Sequence, residues 1–436
     1  MLQKIIFLLF AVVVGLPLNT KGQNRNIVWV HGLNTGLTDW QNFRNQFQGS
    51  HQFNSSTTKS YTTDQGLATF AASIRSQAEG AFGSMSVRPI AVGHSMGGAA
   101  LRQLDFVNNA NLNVGGIIAV GAPLDGAGVA TAINSGAATA EIHNGVNQVG
   151  RGPLAEIMLV PSALGVRVTD IVDAWRAAAF VTTRRMRNDP FAFTPDTYGP
   201  ASVNDLQING GITTDMNHLP TARPKISIFG NLSSPVQWKM TTASVRFSDQ
   251  VPQILKNIDF ANAASIAEDI YNVAYIVHTG IAVTYVAGGG FLNPFAWVVA
   301  AYHFWKANEW QAGRDWFRDS ERIWNVIIGA NLPSVQTQCF SYNAFVCSYS
   351  NNANFTNPNC WQPVTTCIWT VLTGKSDGFI PAGSQAGFNS PSWDGAARVE
   401  AFDVSHFQEI DVTNGTMQTT LNNIFDTQGT YFFTFR

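Results

Sequence analysis

The sequence predicts an α/β fold, a mostly parallel central sheet flanked by helices, and three short apolar runs carry that expectation. Asn26–Val30, Pro89–Val92 and Gly116–Val120 are rich in Ile, Val and Ala without regular polar alternation, as strands buried on both faces require. A glycine turn follows each of them, and behind the second Met96–Val107 reads as a helix rich in Ala, Leu and Gln. Buried strands separated by helical stretches build parallel sheets.

The first strand runs into His31-Gly32-Leu33-Asn34-Thr35-Gly36. The second runs into Gly93-His94-Ser95-Met96-Gly97-Gly98, which fits the G-x-S-x-G pattern in which a serine is held on a tight turn between a strand and a helix. Such a turn strains the backbone at the serine and needs small neighbours, which Gly93, Gly97 and Gly98 supply. The following helix directs free N–H groups at Ser95, where negative charge develops during acyl transfer. A serine hydroxyl is a weak nucleophile until a base takes its proton. His406 suits that role, because it follows the strand-like Ala397–Val404 and precedes a helix-like stretch beginning near Asn414. A carboxylate must then orient the imidazole. Asp377 lies after the apolar run 368–372 and before Gly378; Asp125, at the end of the third strand, is its main rival. Asp403 reads as a solvent-facing strand residue and Asp394 as a turn residue before Gly395.

Further segments extend the pattern: Leu124-Asp125-Gly126 after the third strand, Val203-Asn204-Asp205-Leu206, Lys225–Gly230, Ser376-Asp377-Gly378-Phe379-Ile380-Pro381 and Ser405-His406-Phe407. Taken in order, these pieces and the two turns above resemble α/β-hydrolases of the bacterial lipase and esterase type, over about half of the chain. The resemblance implies a catalytic triad of Ser95, Asp377 and His406, in the chain order of that fold. It also implies an oxyanion hole from the backbone N–H groups of Leu33 and Met96, with His31 bracing the loop by hydrogen bonding. The expected activity is cleavage of carboxylic esters, of lipids or acylglycerols above all, through an acyl-enzyme intermediate. Amidase, thioesterase or acyltransferase chemistry on the same scaffold stays open, as does a non-catalytic binding or surface protein.

Residues 1–22 read as a cleavable signal peptide, with Lys4 ahead of an apolar stretch from Ile5 to Leu16, so a secreted or periplasmic protein is expected. Export permits disulfides among Cys339, Cys347, Cys360 and Cys367. Cys339–Cys347 with Cys360–Cys367 is the favoured of three connectivities, and the spacings are longer than those of usual zinc knuckles. A formal net charge of −2 leaves no basic field for nucleic acid, and Arg184-Arg185-Met186-Arg187 reads as a solvated helix end. No cofactor is expected; a structural calcium is the one metal considered, since some bacterial lipases hold one near the histidine loop and Asp403, Glu409 and Asp411 offer oxygens there. Oligomeric state is not legible.

The domain reading places hydrolase core at 23–126, 200–231 and 368–436, with helical lid or cap insertions at 127–199 and 232–367. Within the second insertion, residues 270–305 carry no Asp, Glu, Lys or Arg. They read as two apolar helices joined at Gly288-Gly289-Gly290, with Pro294 in the first turn of the second. A buried pair of cap helices, a lid that lines an acyl-binding cleft beside Ser95 and makes transient contact with a lipid interface, and a transmembrane hairpin all remain open. The tail reads as a helix from Asn414 to Phe425 and a short strand at 430–435, and residues 351–359 as a surface loop.

Overall fold

The computed structural model describes residues 26–33, 40–51, 54–57, 65–82, 89–107, 114–138, 140–141, 199–208, 210, 223–233, 260–289, 294–332, 335–345, 361–372, 374–406 and 408–426. The signal-peptide segment, the arginine run, residues 351–359 and the strand expected at 430–435 lie outside them.

A parallel sheet is formed by β1 (Asn26–Val30), β2 (Asn54–Thr57), β3 (Ile90–His94), β4 (Gly116–Val120), β5 (Lys225–Asn231) and β8 (Ala397–Phe402), in the spatial order β2-β1-β3-β4-β5-β8. Side chains alternate across each strand and build a core on both faces. Val28, Val30, Ile117 and Ala119 pack with α2 (Gly66–Phe82) and α3 (Met96–Val107), whereas Ile27, Trp29, Ile118 and Val120 pack with α1 (Gln41–His51) and α8 (Gly415–Asp426). This double-sided burial explains why the strand sequences lack a polar face. Asn414 caps α8 by accepting the Met417 N–H at 3.0 Å, which fixes where the expected last helix starts.

From β1 the chain runs to β2 on one side, and from β3 it runs to β4 on the other, so a crevice opens between the carboxyl ends of β1 and β3. The loop after β1, the elbow after β3 and the turn after β8 all stand at that rim. Two short helices, α4 (Gly128–Ser135) and α5 (Pro200–Leu206), pack on each other, and α5 also packs on α2.

Two long helices follow β5: α6 (Phe260–Gly289) and α7 (Pro294–Ile327), which pack as a hairpin longer than the 270–305 segment read from sequence. The base of α7 is tied into the core beside the parallel sheet, with Trp324 fully buried and its Nε1–H donating to the Gly378 carbonyl at 3.0 Å. Among the described residues, no helix is long and apolar enough to cross a membrane.

Two expectations are corrected. The apolar run 368–372, placed at the start of the last core segment, lies mostly in β7 (Trp361–Val371), which pairs antiparallel with β6 (Val335–Phe345) in a separate two-stranded sheet. The boundary expected at 367/368 therefore falls inside one strand. The favoured cysteine pairs fail for the same reason: Cys339 is six residues from the end of β6 at Phe345, about 20 Å of extended chain, and Cys347 is only two residues beyond. Cys360 and Cys367 are separated in the same way along β7, whereas the register sets Cys339 opposite Cys367. Cys347 and Cys360 lie outside the described residues.

Candidate active site

Ser95 holds a left-handed backbone, φ 53°, where a residue with a Cβ is strained. Close packing supports that geometry. A Cβ on Gly93 would stand 2.7 Å from the Gly97 carbonyl, one on Gly97 2.5 Å from the His31 carbonyl, and one on Gly98 2.5 Å from the Ala122 Cβ. The Ser95 N–H donates to the Val120 carbonyl at 2.9 Å, pinning the turn to β4, while the Ser95 carbonyl accepts from Gly98 and Ala99 and opens α3. Met96 and Gly97 are thus first-turn residues whose N–H groups have no partner within the helix. The loop after β1 comes against the same turn, since a Cβ on Gly32 would lie 2.9 Å from the Ser95 Cβ. Leu33 therefore follows Gly32 beside the serine. His31 is buried and its Nδ1 bonds the Gly32 carbonyl at 3.0 Å, within its own loop.

His406 comes from the turn after β8. Its Nε2 is 3.0 Å from Ser95 Oγ and its Nδ1 2.7 Å from Asp377 Oδ2. The other Asp377 oxygen, Oδ1, accepts the Phe379 and Ile380 N–H groups at 2.8 and 2.6 Å, and the His406 N–H donates to the Asp377 carbonyl at 3.0 Å. Asp377 is fully buried, and the Phe379 ring stacks on the imidazole at 5.5 Å. Positive φ at Gly378 (92°) lets the 376–381 loop turn back so that both Asp377 oxygens are used.

This relay of hydroxyl, imidazole and carboxylate joins residues far apart in sequence, in the order serine, aspartate, histidine, at the carboxyl edge of a parallel sheet. The chain has the α/β-hydrolase fold. No family model matches it, and no curated protein matches it by sequence. Among solved structures it is similar to the mature Bacillus licheniformis lipase BlEst2, at 13% identity and TM-score 0.29, covering 51% of this chain and 73% of that one. It is similar to the Legionella pneumophila phospholipase PlaB at 13% identity and TM-score 0.29, covering 48% of this chain and 39% of the phospholipase. An extracellular α/β-hydrolase from a Paenibacillus species is similar at 14% identity and TM-score 0.26, covering 47% of this chain and 76% of that one.

The rival acid, Asp125, is engaged elsewhere in the fold. Its Oδ2 accepts the Asn389 N–H at 2.9 Å, and burial pushes its carboxyl up to about 7. Asp403 is no strand residue: it turns the chain just after β8 with φ 57° and accepts the Ser233 hydroxyl at 2.6 Å.

The oxygens of Asp403, Glu409 and Asp411, considered for calcium, are turned to separate neighbours. Asp403 serves Ser233, Asp411 accepts the N–H and hydroxyl of Thr413, and Glu409 is fully buried beneath His406. Calcium takes six to eight oxygens around one point, and these three side chains face different partners.

Glu409 is the residue whose place sequence reasoning missed. Its Oε1 accepts the Gly230 N–H at 3.1 Å, and its Oε2 lies 3.2 Å from His94 Nε2 and 3.5 Å from His406 Nδ1. His94 Nε2 aims its hydrogen bond at the His406 carbonyl, 2.9 Å away, which leaves Glu409 Oε2 without a hydrogen bond. Burial, reinforced by the Asp377 charge, raises the Glu409 carboxyl well above the ordinary carboxylate range. Burial, reinforced by His406, holds the His94 imidazole well below the ordinary histidine range. Both shifts favour the neutral forms of the groups packed around His406. The signal for Glu409 was the spacing of three from His406 on a tight turn, which sets both side chains on one side.

Proposed function

We propose that this α/β-hydrolase is an exported serine hydrolase that cleaves carboxylic esters, with lipid or acylglycerol esters as substrates. The observation that carries the reading is the continuous relay from Ser95 Oγ through His406 to Asp377, at 3.0 and 2.7 Å. In it, His406 Nε2 takes the Ser95 proton as Oγ attacks the ester carbonyl, and Asp377 holds the imidazole in the tautomer that leaves Nε2 free to accept. The carbonyl oxygen becomes an oxyanion held by the N–H groups of Leu33 and Met96, each donor being worth about 3 kcal/mol to the transition state. Collapse expels the alcohol, which takes the proton from His406. A water then attacks the acyl-serine with His406 again as base, releasing the acid and restoring Ser95.

Amide, thioester and transferase chemistry would use the same relay, so the substrate class is argued from the rest of the chain. The charge-free segment 270–305 supports apolar acyl compounds over charged ones. The apolar stretch within residues 1–22 supports export.

Labelling with a fluorophosphonate probe, followed by a panel of acyl esters, amides and thioesters, tests the reading. Wild-type protein is expected to label and to hydrolyse esters, with both signals lost in Ser95→Ala. Folded wild-type protein that neither labels nor turns over an ester would overturn it.

A further inference from the structure

The α6–α7 hairpin is built inside out for a water-soluble element. Its described seam is made largely of small residues, with Ala274, Ala282, Ala296 and Ala300 all buried. Large apolar residues face outward: Ile276, Val277, Val283, Val298, Phe304 and Trp305 are 42% to 67% exposed. They do not form one stripe. Ile276 and Val277 are consecutive, as are Phe304 and Trp305, and consecutive helix residues point about 100° apart. Apolar surface therefore wraps around the hairpin. A flat protein partner covers one face; a fluid apolar medium covers all of them.

His278, His303 and Thr284 bond within the hairpin, as such a medium demands of polar side chains. His278 and His303 meet Nδ1 to Nδ1 at 2.8 Å across the two helices, and the Thr284 hydroxyl donates to the Gly280 carbonyl one turn back at 2.8 Å. Charge begins abruptly below it. Lys306 sits over the Trp305 ring at 5.1 Å and pairs with Glu309 at 3.5 Å, while Arg314 lies over the Tyr275 ring at 4.9 Å and Arg318 pairs with Glu268 at 3.3 Å. An aromatic ring beside a lysine at the edge of a charge-free zone is the arrangement found at a membrane–water boundary.

Lengths agree with insertion into one leaflet. The charge-free part of α7, from Pro294 to Trp305, rises about 18 Å, against about 15 Å for half of a bilayer's hydrocarbon core. Along α7, Phe304 is 20 residues, or roughly 30 Å, from the anchoring Trp324, so the apolar tip stands well away from the acid loop.

We propose that the tip of the α6–α7 hairpin is a lipid-docking element that dips into one leaflet of a bilayer and holds the hydrolase core against it. Its use in presenting substrate rests on the lipid-ester reading above, but docking itself needs no turnover.

The full chain carrying Ser95→Ala is mixed with neutral phosphatidylcholine vesicles and floated on a density gradient at low and high salt. Flotation with the vesicles at both salts is expected, and Ile276→Glu/Phe304→Glu should cut the bound fraction roughly tenfold. Circular dichroism checks that the double variant is folded; Val298→Glu alone serves if it is not. Protein that stays with the soluble fraction, or binding that survives the substitutions, overturns the proposal. So does a wild-type dimer in sedimentation that the double variant converts to monomer, which would make the tip a contact between copies. Wild-type protein that floats but never takes the fluorophosphonate label would sink the hydrolase reading alone, and wild-type protein that labels but never floats would sink the docking alone.

Discussion

Glu409 Oε2 lies 3.5 Å from His406 Nδ1, the nitrogen that Asp377 engages at 2.7 Å. Two carboxyl groups thus crowd one imidazole N–H. Only Asp377 is placed to orient it, since Glu409 Oε2 makes no hydrogen bond and burial favours the protonated form of Glu409. Glu409→Gln should therefore keep kcat/KM within about threefold at neutral pH, because the amide has the shape of the neutral carboxyl that burial favours. Stability carries the opposite signature. A carboxyl whose folded pKa is raised contributes fully below its ordinary value and loses that contribution as pH rises toward the folded one. The glutamine variant has no proton to lose, so its advantage in thermal midpoint should grow with pH above the ordinary carboxylate range. A loss of activity of about a hundredfold or more would instead mean that Glu409 acts as an anion.

Asp377→Asn and Asp125→Asn separate the two candidate acids. An amide at 377 turns a donor toward His406 Nδ1 and favours the wrong tautomer, so kcat should fall about 10³- to 10⁴-fold with little change in fold. Asp125→Asn should leave kcat nearly unchanged. Burial raises the Asp125 carboxyl from 3.8 to about 7, so its ionisation destabilises the folded chain progressively between those values. The substitution removes at most roughly 4 kcal/mol of that cost. Thermal midpoints should therefore coincide near the low end of that window and favour the asparagine variant above its high end.

Ser95, His406 and Asp377 were legible because acyl transfer demands those residue types in that order at strand ends, and the glycines around them mark turns that admit little else. Glu409 was not. A carboxylate near a surface turn looks solvated in sequence, and only the packing of the 405–409 turn under His94 makes it a buried group. The run 368–372 failed differently: its apolar residues mark a strand, but composition does not say which sheet a strand joins. In the hairpin, the lack of charge was plain while its meaning was open. Whether the alanines or the large residues face the seam depends on how the two helices rotate against each other.

The β6–β7 register makes a covalent prediction. Cα atoms directly opposite in an antiparallel pair are about 4.5–5.5 Å apart, within the range that a disulfide bridges, and Cys339 is opposite Cys367. Non-reducing peptide mapping of exported protein should find Cys339 joined to Cys367. Recovery of a Cys339–Cys347 peptide would show that the strands do not pair in this register.

Gly97→Ala tests how tightly the oxyanion loop is bound to the elbow. The added methyl would stand 2.5 Å from the His31 carbonyl oxygen and 2.7 Å from that of Val30, both backbone atoms that no rotamer change can move. Relief requires the end of β1 to shift, and overpacking of this kind costs about 1–3 kcal/mol of stability. The same shift carries Gly32 and Leu33 away from Ser95, so one of the two oxyanion donors is misplaced. Activity should fall about 10²-fold or more, chiefly in kcat, because the donor acts on the transition state rather than on bound ester. Fluorophosphonate labelling should slow in parallel while the His406 relay stays intact. Full activity in the alanine variant would show that the loop after β1 yields without cost, and would remove Leu33 from the proposed mechanism.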